Sequence, residues 1–125
     1  MQTKFLICED HKIRLQEIRQ FLSNQARYTI IENFTNGRDM IEWVRQNKGV
    51  ADILILDIIM PVMDGYAAFF ELKEVDPKLK VIFVTVENSP PLMKELIKNG
   101  ASGFLTKPLD RDKFLSVVAE AARRD

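Results

Sequence analysis

The chain has 125 residues, 46% hydrophobic and 29% charged, a globular composition that excludes disorder, collagen-like repeats and disulfide scaffolds. Basic and acidic residues number 18 each, split as 8 and 8 in residues 1–60 and 10 and 10 in 61–125, so no basic face for gripping nucleic acid is expected. At about 150 residues per domain the length predicts a single domain over residues 1–125.

Taken in chain order, Phe5–Cys8 is a short apolar run that predicts a first strand. Leu15, Ile18, Phe21 and Leu22 then recur at helical spacing. Tyr28–Phe34 predicts a second strand, and Asn36-Gly37 opens a second helix with Met40, Ile41 and Val44 on one face. Ile53–Leu56 predicts the third strand, followed by a third helix whose stripe is Phe69, Phe70, Leu72 and Lys73. Val81–Val86 predicts the fourth strand. Ser89 is placed to cap the fourth helix, with Pro90 at its first position, Leu92, Met93, Leu96 and Ile97 as its stripe, and Asn99-Gly100 as its end. Gly103–Leu105 predicts the fifth strand, and Asp110 caps a fifth helix carrying Phe114, Val117, Val118 and Ala121.

Most of the apolar runs lack alternation, as strands covered on both faces do. Strictly alternating strands and helices predict an α/β fold, a parallel sheet with helices on both faces and right-handed crossovers. No apolar run approaches the ~18 residues of a membrane span, and the start lacks a signal-peptide pattern. With the lone Cys8 in an apolar strand, these features predict a cytoplasmic protein without membrane contact.

Open parallel sheets place their functional site at the carboxyl ends of the strands. Those ends carry Glu9-Asp10, Asp57, Thr85 and Lys107-Pro108. No glycine-rich phosphate cradle is present, and the first turn is acidic, which speaks against a dinucleotide or flavin. Two carboxylates ~4 Å apart repel by about 4 kcal/mol at an effective dielectric near 20, so three of them call for a hard cation such as Mg²⁺. Asp57 is central enough to act as a nucleophile, while Lys107 and Thr85 suit the oxygens of a transferring phosphoryl group. Singly, each residue has a plainer reading. Glu9-Asp10 could be a helix-capping turn, Asp57 a structural carboxylate and Thr85 a strand former. His11 reads as an exposed loop residue and Trp43 as a packing residue. The convergence of the set is what favours chemistry.

Glu9-Asp10, D-I-I-M-P-V-M-D-G at Asp57–Gly65, Thr85, and G-A-S-G-F-L-T-K-P at Gly100–Pro108 fall in order along the chain. With these motifs the chain resembles, from end to end, a response-regulator receiver domain of two-component signalling. The resemblance implies a flavodoxin-like fold of strand order 2-1-3-4-5. It implies that Asp57 accepts a phosphoryl group from a sensor histidine kinase or a histidine phosphotransfer protein. Asp10 would bind Mg²⁺ (or Mn²⁺) directly and Glu9 through water, with Asp57 and the backbone carbonyl of Ile59 completing the metal site. Lys107 would pair with the phosphoryl group, Thr85 would move toward it, and Phe104 would rotate inward. That switch would remodel the face of the fourth helix, fifth strand and fifth helix, where an output domain, a downstream protein or a second copy would bind.

The resemblance further implies a cis Lys107-Pro108 peptide and a self-acting switch rather than an enzyme with an external substrate. It implies no direct nucleic-acid binding by this domain. A pseudo-receiver that is never phosphorylated is the alternative, against which the intact Asp10, Asp57, Thr85 and Lys107 speak. A phosphatase with an aspartyl intermediate would want a carboxylate at position 59, which is Ile59. Val86 stands where family members more usually have a small residue. With Ile59 it is expected to narrow access to Asp57 and slow hydrolysis, and Glu87 flanks the same path. Pro90-Pro91 is expected to stiffen the start of the fourth helix.

Overall fold

The computed structural model describes residues 2–86 and 89–124. Strands and helices alternate as β1 (Thr3–Cys8), α1 (Lys12–Ser23), β2 (Tyr28–Phe34), α2 (Gly37–Gln46), β3 (Ile53–Leu56), α3 (Gly65–Val75), β4 (Lys80–Thr85), α4 (Pro90–Lys98), β5 (Gly103–Thr106) and α5 (Arg111–Arg123). All strand pairs are parallel and the sheet order is β2-β1-β3-β4-β5. The order and the α/β class agree with expectation.

Side-chain parity along the strands divides the interior into two layers. Phe5, Ile7, Ile53, Ile55, Ile82 and Val84 pack with Ile18 and Leu22 of α1 and Phe114, Val118 and Ala121 of α5. Leu6, Cys8, Leu54, Leu56, Val81 and Phe83 pack with residues of α2, α3 and α4 on the other face. Each strand in the middle of the sheet thus buries both faces, which is why its sequence shows no polar alternation. At the edge the reading differs: no residue of β2 is fully buried.

Local chemistry sets the helix starts. The side chains of Asn36, Asp64 and Asp110 accept hydrogen bonds from the N–H groups of Asp39, Ala67 and Lys113 at 2.9, 2.9 and 2.8 Å. Ser89 does the same for Leu92 at 3.4 Å, with Pro90 inside the first turn where a missing N–H costs least.

Three elements depart from expectation. The fourth strand ends at Thr85, leaving Val86 outside it and 48% exposed. On α4 only Leu96 is buried; Met93 and Ile97 face solvent, so half of the predicted stripe is not core. Lys73, placed in the α3 stripe, is exposed, and Ala68 and Val75 fill that face instead. Among the described residues no helix is long and apolar enough to cross a membrane.

Candidate functional site

Register brings the site together. Cys8 aligns with Leu56, and Leu56 with Phe83, in one row across the sheet. The next residues along β1 and β3 are Glu9 and Asp57, so the two carboxylates emerge side by side. The Asp57 N–H donates to the Cys8 carbonyl at 3.1 Å, and the Glu9 N–H to the Phe34 carbonyl at 2.9 Å. At the far side, the Lys107 N–H donates to the Thr85 carbonyl at 2.9 Å, which ties the end of β5 to the end of β4.

Lys107 reaches back across the sheet edge. Its Nζ lies 2.7 Å from Glu9 Oε1 and 3.0 Å from Asp57 Oδ2, with all three side chains at most 5% exposed. The second Asp57 oxygen accepts from the Ile59 N–H at 3.2 Å, and the second Glu9 oxygen from the His11 N–H at 3.2 Å. Asp10 is exposed beside them, and one oxygen from each of Glu9, Asp10 and Asp57 falls within 4.8 Å of the others. Three carboxylate oxygens so close, two of them buried, form a donor set that fits a hard divalent cation. Burial pushes the Glu9 carboxyl above its ordinary 4.5; the Lys107 hydrogen bond opposes this and the charge of Asp57 adds to it.

The remaining predicted residues fall around this cluster. Thr85 is fully buried at the end of β4. Phe104 is half-buried on β5, with its ring centroid 6.2 Å from that of Phe83. Lys107-Pro108 is cis. His11 is exposed, and Trp43 packs on Phe34. Glu87 lies outside the described residues.

The loop between β3 and α3 is braced at both ends. A side chain at Gly65 would fall inside the Asp57 carbonyl, so only glycine lets α3 start so close to Asp57. Gly65 N–H donates to the Ile58 carbonyl at 2.8 Å. Gly37 N–H donates to the Met63 carbonyl at 3.1 Å, and a Cβ there would stand 2.7 Å from the same oxygen. Between the braces, Val62 sits at φ 68 in a turn closed by Met63 N–H to the Pro61 carbonyl at 2.7 Å.

The family model for the response regulator receiver domain matches residues 5–119. The chain belongs to that family. Among curated relatives of the receiver domain, the chemotaxis protein CheY of Thermotoga maritima is 28% identical over 98% of this chain and 100% of its own length. Protein CcdB of Bacillus subtilis is 31% identical over 94% of this chain and 95% of its own. Among solved structures, a chain of the CheX–CheY–BeF3–Mg²⁺ complex from Borrelia burgdorferi superposes with a TM-score of 0.92 at 28% identity, covering 98% of this chain and 90% of that one.

The strand ends made Glu9, Asp10, Asp57 and Lys107 legible in the sequence, but not the braces. The glycine in M-D-G and the Asn36-Gly37 pair were legible as turn signals. What they approach depends on how β3, α2 and α3 meet, which no local spacing encodes.

Proposed function

We propose that this receiver domain is a phosphorylation switch in which Asp57 accepts a phosphoryl group. The observation that carries this reading is the bridge of Lys107 between buried Glu9 and Asp57, with Asp10 exposed alongside. A lysine held 3.0 Å from the acceptor carboxylate is placed to pair with the oxygens of a group attached there. An Asp57 oxygen attacks phosphorus, the donor's bond to phosphorus breaks, and the pair leaves with the donor atom. The donor is a histidine phosphate on a sensor kinase or phosphotransfer protein.

Glu9, Asp10 and Asp57, with the Ile59 carbonyl, would hold Mg²⁺, or Mn²⁺ in its place. The ion would offset the charge of the carboxylates and of the phosphoryl oxygens. The Borrelia relative, solved in complex with BeF3 and Mg²⁺, supports this assignment. Thr85 and Phe104 carry the change to the α4–β5–α5 face, where an output domain, a downstream protein or a second copy docks. The domain acts on itself and has no external substrate.

Intact-protein mass tests the reading. Incubation with acetyl phosphate or phosphoramidate should add one phosphoryl group to wild type in Mg²⁺, and none in EDTA or in Asp57→Asn. Folded protein that gains no mass under any of these conditions would make the domain a pseudo-receiver.

A further inference from the structure

Beside Asp57, the start of α1, the residue after β4 and the segment after β5 border an open cleft of about 320 Å³ lined by Arg14, Glu17, Val86, Lys107 and Pro108. Lys107 is shared between the two: its Nζ contacts Asp57 on one side, and the residue lines the cleft on the other. Arg14 is half-buried in the first turn of α1 and makes no ion pair or hydrogen bond among the described residues. Glu17, one turn on, does not pair with it. The buried Lys107, by contrast, is matched by two carboxylates. An unmatched guanidinium in a cleft is a carboxylate receptor, with its donors in a planar fork.

We propose that Arg14 binds the carboxylate leaving group of an acyl-phosphate donor, which makes this cleft a donor subsite. The proposal rests on Asp57 being the acceptor. When an Asp57 oxygen attacks an acyl phosphate, the new O–P bond forms as the acyl O–P bond breaks. The electron pair stays on the acyl oxygen and a carboxylate leaves, with no proton needed. In a loose phosphoryl-transfer transition state the leaving oxygen already carries much of that charge. With phosphoramidate the P–N bond breaks and neutral ammonia leaves, so a cation in the cleft has nothing to stabilise. Arg14 therefore selects between donors and is a specificity residue, while Lys107 serves both.

The test is the ratio of second-order rate constants for acetyl phosphate and phosphoramidate, read by intact mass in Mg²⁺. Arg14→Gln should lower the ratio about fivefold, the scale of a partly exposed ion pair. Arg14→Lys should recover part of it, and Glu17→Gln, which removes the opposing charge from the same cleft, should raise it. Ratios unchanged in Arg14→Gln and Glu17→Gln, with wild type labelled by both donors, would overturn the proposal and leave the acceptor reading intact. Wild type labelled by neither donor would overturn both.

Discussion

Val62 shows how much conformational cost a single residue carries in this loop. A β-branched side chain at φ 68 lies in the left-handed region that glycine favours, and this one is also 81% exposed. The turn persists because the Gly37–Met63 and Gly65–Ile58 hydrogen bonds fix the chain on either side. Val62→Gly should therefore stabilise the domain by about 0.5 kcal/mol: such strain costs at least about 1 kcal/mol, and the added freedom of the unfolded chain takes back roughly half of it. Urea unfolding at fixed Mg²⁺ checks this, and a variant less stable than wild type would show that the side chain earns its place through contacts. Glu9 carries an electrostatic cost. Its carboxyl is raised above 4.5 by burial, so folding favours the protonated form; that contribution is complete below about pH 4.5 and is lost as pH rises through the folded-state value. In EDTA, Glu9→Gln should melt above wild type at pH 7, and the gap should close as pH falls toward 4.5. A gap constant with pH would mean that packing, not charge, separates the two.

At the scale of elements, α4 is the part the sequence misstates most. Its stripe of Leu92, Met93, Leu96 and Ile97 reads as a core face, yet only Leu96 is buried, because periodicity reports which residues share a face but not what covers it. With so little apolar burial, α4 depends on tethers from α3. Tyr66 Oη donates to Glu95 Oε2 at 3.0 Å, and Lys73 Nζ donates to the Asn99 carbonyl at the helix end. Neither pair is legible in the sequence, since partners 29 and 26 residues apart meet only once the crossover is built. The strand ends were legible because parallel topology gathers them at one edge whatever the details. Tyr66→Phe keeps the ring's packing on Phe70 and removes the hydrogen bond. It should speed amide exchange in α4 several-fold while α5, anchored by Phe114, Val118 and Ala121, stays unchanged. Equal acceleration in both helices would indicate global loosening and remove the tether from the account.

For the whole molecule, the acidic edge is held together by one ammonium. The strand ends implied three carboxylates in mutual repulsion with an ammonium at the same edge; the structure sets Lys107 between two of them, so the cluster is partly neutralised without a metal. Removing that ammonium leaves Glu9 and Asp57, 1% and 3% exposed, as uncompensated buried charges. Lys107→Met should then cost about 3–5 kcal/mol in EDTA, the range for breaking a buried ion pair from one side. A ligand bound only by the folded state adds RT ln(1 + [L]/Kd), about 2.7 kcal/mol at a hundredfold excess over Kd. Because the lysine and the metal answer the same charge, the Mg²⁺ shift in melting temperature should be larger in Lys107→Met than in wild type. Asp57→Asn should lose most of that shift. Its own effect without metal should be small, since it removes a repulsion on Glu9 and a partner of Lys107 together. Equal Mg²⁺ shifts in all three proteins would place the ion elsewhere and break the link between stability and the Asp57 site. The ordering Lys107→Met, wild type, Asp57→Asn requires that the same few oxygens bind the cation, pair the lysine and set the stability of the fold.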